Sequence, residues 1–573
     1  MIKLFSFLKP YAFSVTAVLV FMFFQSMAQL YLPALLADIV NRGIVNGNSR
    51  YIFHIGGLML LVAAGSAACT VLASYLSAKA SAGFGKDLRS SVFSRAESYS
   101  LHEFDQIGTA SLITRTTNDI NQVQQVLLLI LRLMISAPMM AVGGIIMAVS
   151  TDATLSLVFV AVLPLLAAAI FLIAGRSIPL FRTMQAKLDR LNLVLRENLT
   201  GIRVIRAFNR IDHEKKRFGQ ANYDLTGVAI RVNRQMAAMF PLMMLVMNFT
   251  TIAILWFGSI RVDYGDMQVG NMMAFIQYSM QIMFSLVMVS IMFVMIPRAQ
   301  ASAVRINEVL DTVPDIKDAV QIKSTGKQKG LVEFKNVTFR YPGAEKPAID
   351  NISFQAGPDE VTAIIGGTGA GKSTLVNLIP RFYDVDRGRI LIDGVDVREL
   401  SQQSLRAKIG FVPQKAVLFT GTIADNIRFG SEGAPAEAVR QAAATAQATE
   451  FITAMKDGFD SVIAQGGANV SGGQKQRLAI ARALVRRPEI YIFDDTFSAL
   501  DYKTDARLRA ALKEETGNST VIIIAQRVST VINADRILVM DNGVIAGSGN
   551  HEELLATCGV YREIVASQLS GGE

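Results

Sequence analysis

The chain has 573 residues, of which 51% are hydrophobic and only 18% charged, with a formal net charge of +9. Soluble chains carry about 25% charged residues, so this composition and a mean hydropathy of +0.36 are explained most simply by a membrane domain, and the length excludes a single core and calls for at least two domains. Two cysteines, Cys69 inside an apolar run and Cys558 near the C-terminus, exclude a disulfide framework, and the excess basic residues lie between apolar runs rather than in one patch interleaved with aromatics, which argues against nucleic acid as a partner.

The N-terminal MIKLFSFLKPY is basic, but the long apolar stretch after it lacks a small-residue cleavage site, which predicts a retained anchor. Six stretches, near residues 12–38, 53–78, 128–149, 155–175, 237–260 and 271–296, reach the ~20 helical residues needed to cross a bilayer. Pro33 and Pro164 need not break them, because neighbouring helices satisfy freed backbone groups. The connection from Arg176 to Arg234 is densely basic, whereas the opposite side offers Arg42, Arg50 and Arg261 and nothing basic in VSTDAT. That asymmetry predicts both termini on the cytoplasmic side.

Two cytoplasmic connections, near 79–127 and 176–236, are too long for turns and hold few helix breakers. As helical hairpins, arms of about 20 residues would project roughly 30 Å from the bilayer and reach a second domain. Arg132, in the third span, is expected either to snorkel to the inner headgroups or to pair within the bundle. On the sixth span Gln277, Gln281, Phe284, Met288 and Met292 share a helical face. That face reads either as the lining of a cavity for amphipathic compounds or as ordinary helix packing.

After Pro297, RAQASAVRINEVLDTVPDIKD predicts a polar continuation of the helix, and KSTGKQKG a short linker. From Leu331 the texture changes. LVEFKNVTFRY alternates as a strand, and strands and helices then succeed one another. The predicted fold is multidomain: an all-α six-helix transmembrane domain (1–310), a linker (311–330) and an α/β P-loop domain (331–573).

The stretch VTAIIGGTGAGKSTLVNLI places Gly366, Thr368, Gly369, Ala370, Gly371, Lys372, Ser373 and Thr374 in P-loop spacing between a strand-like and a helix-like run. Such glycines let backbone N–H groups approach phosphate, and the helix N-terminus favours negative charge. Lys372 is expected at the β- and γ-phosphates of ATP and Ser373 on Mg²⁺. The buried-strand pattern YIF ends in Asp494, the expected carboxylate for that Mg²⁺, bound directly or through water.

Between these motifs, VSGGQKQRLAIARAL resembles the signature of ATP-binding-cassette (ABC) proteins, and the order of parts over 331–573 resembles their nucleotide-binding domain. The six spans, with GTASLITRTTNDI and RENLTGIRVIRAFNRIDHEKKRF in the long loops, are similar to type IV exporters of that superfamily, and importer function is disfavoured. The resemblance implies that Tyr341 stacks on adenine and that Gln414 contacts Mg²⁺ and senses the membrane domain. It implies that Ser471, Gly472, Gly473 and Gln474 clamp ATP held by a partner subunit, with Asp501 across the dimer seam. Segments 104–106 and 210–213 are then candidate coupling helices, moved by closure of the nucleotide domains between inward- and outward-facing states. His102 and His213 have no metal-ligand spacing and are expected at the surface.

Three positions depart from the family pattern. Asp495 stands where the family has the glutamate that polarises the attacking water, Gln526 where it has a switch histidine, and Gln465 where exporters commonly have a glutamate. A misplacement of about 1 Å can slow a reaction on the order of a hundredfold, and a glutamine carries neither imidazolium charge nor a shuttled proton. The chain therefore resembles the impaired half of a bacterial heterodimeric multidrug exporter, in which Asp495, Gln526 and Gln414 form a weak catalytic set. Its expected setting is the bacterial cytoplasmic membrane. The expected partners are a second half-transporter, the lipid bilayer and a hydrophobic drug or lipid. A homodimeric lipid flippase and a nucleotide-gated membrane regulator that does not pump are the alternatives.

Overall fold

A computed structural model describes residues 1–319, 321–323 and 329–569; most of the stretch KSTGKQKG, expected as a linker, lies outside them. The chain forms two compact units, one of residues 1–97 and 110–312, the other of Ser98–Thr109 together with the chain from Val313 onward.

The first unit is helical throughout its long segments. Ala12–Asp38, Ser49–Glu97, Thr109–Thr151, Leu157–Thr200, Ile211–Asp263 and Val269–Asp311 follow one another, and each of the six carries an apolar stretch long enough to span a membrane. A helix of 49 residues such as Ser49–Glu97 is about 70 Å long, more than twice the ~30 Å hydrocarbon core. The helices thus run well past the membrane, as the hairpin expectation requires. Pro33, Pro164 and Pro297 all sit inside continuous helices.

Three details refine the sequence reading. The last helix stops at Asp311 rather than running on to Asp318, because Val313 precedes Pro314 and the proline ring disfavours helical backbone there. The Arg132 guanidinium donates to Ser77 Oγ at 3.1 Å and to the Ser74 carbonyl at 3.3 Å, so it pairs within the bundle. On the sixth long helix the packed face is Phe275, Tyr278 and Ile282, whereas Gln277 and Phe284 remain exposed. Of the other residues on the glutamine-methionine face, Gln281, Met288 and Met292 are half-buried, and Gln281 Nε2 donates to the Gln29 carbonyl at 3.2 Å.

The second unit is built on strands β1 (Val332–Phe339), β2 (Ile349–Ala356), β3 (Val361–Gly366), β4 (Arg387–Ile392), β5 (Val395–Asp396), β6 (Ile409–Val412), β7 (Gly421–Thr422), β8 (Val462–Ile463), β9 (Ile490–Asp494), β10 (Thr520–Ile524), β11 (Arg536–Asp541) and β12 (Val544–Gly549). The main sheet has the order β12-β11-β3-β10-β9-β6, parallel except at β12. An antiparallel sheet β2-β1-β4-β5 lies in the same unit. Strands β9 and β10 are buried at every position, as expected where both faces of a parallel sheet are covered. One face, with Tyr491, Phe493 and Ile523, packs on helices that include Gly472–Leu484; the other, with Ile492, Ile522 and Leu538, packs towards Val332 and Phe334 of the antiparallel sheet.

The short helix Leu101–Ile107 belongs to this unit and is held by one carboxylate. Glu103, 3% exposed, accepts the Ser100 N–H at 2.7 Å, the Ser100 hydroxyl at 2.6 Å and, with its other oxygen, the Asp315 N–H at 3.0 Å. Burial alone would raise its pKa, but these hydrogen bonds outweigh burial and hold the carboxyl below its usual range, while burial and the neighbouring Glu103 push Asp315 up. Glu103→Ala leaves two backbone donors without their acceptor and is expected to reduce stability by about 2 kcal/mol. A carboxylate with a depressed pKa stabilises the fold at neutral pH and loses that effect as the pH falls through its folded value. Thermal unfolding in detergent should therefore show the gap between wild type and variant narrowing below the ordinary carboxylate range.

Candidate functional site

Four parallel neighbours, β3, β10, β9 and β6, end side by side, and ligands of such sheets bind beyond the carboxyl ends of the strands. Each end delivers part of one cavity of about 340 Å³. The loop after β3 supplies Thr368, Gly369, Gly371, Lys372, Ser373 and Thr374, and the chain after β6 supplies Gln414; Asp494 and Asp495 come from the end of β9, and Gln526 follows β10.

The loop after β3 needs glycine for two reasons. Gly371 has φ +93°, and a Cβ there would lie 2.6 Å from the Ala348 carbonyl; at Gly366 a Cβ would lie 2.2 Å from the Met540 carbonyl. The loop then opens the helix Lys372–Leu378. Lys372 Nζ donates to the carbonyls of Gly366 at 2.9 Å and Gly367 at 2.7 Å. Burial lowers its pKa, against the opposing charges of Asp495 and Asp494. Gly366 ends its strand and Ala370 is turned into the core, so these two support the loop rather than line the cavity.

Asp494 and Asp495 are adjacent carboxylates only 5% and 7% exposed. Ser373 Oγ donates to Asp494 Oδ1 at 3.0 Å. Burial pushes the Asp494 carboxyl up, the Ser373 bond pulls it down, the Asp495 charge raises it again and Lys372 opposes, with a net rise. Asp495 has left-handed backbone (φ 46°, ψ 33°) and its N–H reaches the Ile524 carbonyl at 3.1 Å. Its Oδ2 accepts two side-chain amides, Gln526 Nε2 at 2.7 Å and Gln414 Nε2 at 3.1 Å. Tyr341 lines the same cavity, its hydroxyl 3.1 Å from Thr374 Oγ1 and its ring edge-on to Tyr383.

The remaining sequence-predicted residues lie elsewhere. Ser471 caps the helix Gly472–Leu484, accepting the Gln474 N–H at 3.3 Å while Gln474 Oε1 accepts the Ser471 N–H at 2.9 Å. With Gly472 and Gly473, these residues do not line the cavity. Asp501 likewise caps Tyr502–Glu515 through the Thr504 N–H at 3.0 Å, and Gln465 is exposed. The sequence reading missed Ala348 and Ile524, which complete the cavity wall; neither carries a chemical signature, and only strand adjacency brings them in.

Ser373 Oγ and Asp494 meet at 3.0 Å and Gln414 lines the same cavity, oxygen-bearing side chains of the kind that suit Mg²⁺ together with phosphate oxygens. In the absence of such a cation the carboxylate pair is electrostatically unfavourable. A carboxyl with a raised pKa favours the fold at low pH and loses that effect as the pH rises through its folded value. Asp494→Asn is therefore expected to raise the Tm of the nucleotide-free protein by a few degrees at pH 7, an advantage that should vanish when thermal unfolding is followed below the ordinary carboxylate range.

Comparisons with known proteins agree with this geometry. The profile of the ABC transporter transmembrane region matches residues 15–286, and that of the ABC transporter matches residues 349–498. An uncharacterized ABC transporter ATP-binding protein of Mycobacterium tuberculosis (strain ATCC 25618 / H37Rv) is 42% identical over 567 residues, covering 98% of this chain and 97% of that protein. The ATP-dependent lipid A-core flippase of Aromatoleum aromaticum (strain DSM 19018 / LMG 30748 / EbN1) is 35% identical over 512 residues, 89% of this chain and 84% of the flippase. The solved structure of a bacterial Atm1-family ABC exporter with ATP bound superposes with a TM-score of 0.80 at 25% identity, over 98% of each chain. With six membrane-spanning helices and an ATPase domain in one polypeptide, the chain belongs to the ABC transporter family, as an exporter.

Proposed function

We propose that this exporter chain is the degenerate-site subunit of a heterodimer, holding ATP in its own cavity with little hydrolysis and lending its signature helix to the catalytic site of a partner. The observation that carries this is the state of Asp495: one carboxylate oxygen is engaged by two glutamine amides. With both lone-pair directions of Oδ2 occupied, only Oδ1 is left to orient or deprotonate water, which narrows the geometry open to the attack. The aspartate is also one methylene shorter than the family's glutamate, and Gln526 supplies no charge.

In this proposal the loop 366–374 holds the phosphates, with Lys372 at the β- and γ-phosphates, and Tyr341 stacks on adenine. Ser373, Gln414 and Asp494 hold Mg²⁺, which would neutralise phosphate charge when bound. Ser471, Gly472, Gly473 and Gln474 close over the partner's ATP, with Asp501 at the seam. The exposure of Ser471 and Gly472 in the single chain supports that role. Residues 1–310 act as the transmembrane domain, 311–330 as the linker and 331–573 as the nucleotide-binding domain. Both termini face the cytoplasm of a bacterium, with the helices in its inner membrane, and the cargo is a hydrophobic or amphipathic drug or lipid.

A second reading, a homodimeric lipid flippase, is favoured by the identity with the lipid A-core flippase. Co-purification with a second half-transporter supports the heterodimer, whereas uphill lipid movement by this chain alone in vesicles supports the flippase. Uphill substrate movement in vesicles with the partner present would argue against a nucleotide-gated regulator.

Two outcomes are expected. ATP turnover by the chain alone should be low, and the double replacement Asp495→Glu with Gln526→His should raise it by roughly 10- to 100-fold; appreciable wild-type turnover that Asp495→Ala leaves unchanged would count against the proposal. After turnover of the heterodimer, this pocket should retain ATP while the partner's holds ADP, and a structure with that distribution reversed would overturn it.

A further inference from the structure

Gln526 meets Asp495 through its side chain, but its main chain is held from a distant part of the sequence. Gln568 lies near the end of the helix Gly559–Leu569. Its Nε2 donates to the Gln526 carbonyl at 2.7 Å, and its Oε1 accepts the Val528 N–H at 2.8 Å. One side-chain amide thus pairs with the loop on both sides of Arg527, matching donor to acceptor and acceptor to donor as a neighbouring strand would.

The helix that carries Gln568 is itself anchored. Tyr561 is fully buried, its hydroxyl 2.7 Å from His551 Nδ1, and Ile564 and Val565 pack against the core on the helical side of the main sheet. The turn that follows the loop is held independently, by Arg509 donating to the Ser529 carbonyl at 2.9 Å. The loop 526–528 is therefore suspended between a fixed strand, β10, and a fixed turn, and Gln568 braces the stretch between them.

We propose that Gln568 is a positioning residue for the ATP site: through the switch loop it sets where the Gln526 amide stands relative to Asp495 and to the terminal phosphate of a bound nucleotide. This rests on the reading of the cavity as an ATP site, and it adds the C-terminal helix to the parts that tune that site. Gln568 touches neither nucleotide nor carboxylate, so its effect passes through Gln526. On that reading Gln526, at the switch position, is the side chain whose amide can hydrogen-bond a γ-phosphate, so the effect is confined to nucleotides that possess one.

The test is equilibrium binding of MgATP and of MgADP to the full-length chain in lipid nanodiscs. Gln568→Ala removes both bonds to the loop and should weaken MgATP roughly fivefold, the scale expected for losing one or two exposed hydrogen bonds, with MgADP affinity unchanged. Gln568→Glu keeps the acceptor for Val528 but sets a second acceptor against the Gln526 carbonyl, and should weaken MgATP at least as much. In a Gln526→Ala background, Gln568→Ala should have no further effect. Equal losses for MgATP and MgADP, a full additional loss in the Gln526→Ala background, or no loss at all would each overturn the proposal. Lys372→Ala separates the two layers. MgATP binding that depends on Lys372 but ignores Gln568 sinks this inference alone, whereas binding indifferent to Lys372 removes the ATP site and the inference with it.

Discussion

Everything around the cavity answers to two adjacent carboxylates, Asp494 and Asp495, buried at the end of a strand that is itself buried throughout. Like charges that close, away from water, must be compensated or displaced. The structure divides the task. Asp494 receives a serine hydroxyl and faces Lys372, which leaves it part of its lone-pair capacity for a cation. Asp495 receives two amides on one oxygen. The first arrangement suits metal binding; the second satisfies one oxygen of the neighbouring carboxylate with side-chain amides.

The sheet order is what makes this arrangement possible. Residues 366–374, 414, 494–495 and 526 are scattered over 160 positions, yet β3, β10, β9 and β6 are consecutive neighbours, so their carboxyl ends form one rim. Parallel strands stand roughly 4.8 Å apart, a spacing that lets side chains from three of these ends meet at a single oxygen of Asp495. The signature helix Gly472–Leu484 packs on one face of the same sheet, and its N-terminal cap does not line this cavity. A single chain therefore builds this cavity without the cap of its own signature helix.

The same logic of satisfied polar groups recurs outside the cavity. Glu103 uses both oxygens to join the short helix Leu101–Ile107 to the backbone just after the last long helix, and Arg132 finds a serine hydroxyl and a carbonyl among the apolar helices. In each case a charge drawn wholly or partly out of water is tolerated because hydrogen bonds replace the water it has lost.

The sequence alone determined the two-part architecture, because a run of about 20 apolar residues has few fates other than a membrane helix, and because strand-loop-helix texture with GGTGAGKS specifies a phosphate loop. It also exposed the substitutions at Asp495 and Gln526, since side-chain length and charge are written in the residue itself. It could not show that Gln414 and Gln526 meet on one oxygen of Asp495, that Ala348 and Ile524 wall the cavity, that the last long helix ends at Asp311, or that Gln568 reaches the switch loop. Periodicity reports which face of an element is apolar, but long-range hydrogen bonds depend on which strands become neighbours and where the C-terminal helix docks. Those choices are made by packing of the whole sheet, so only the tertiary structure decided them.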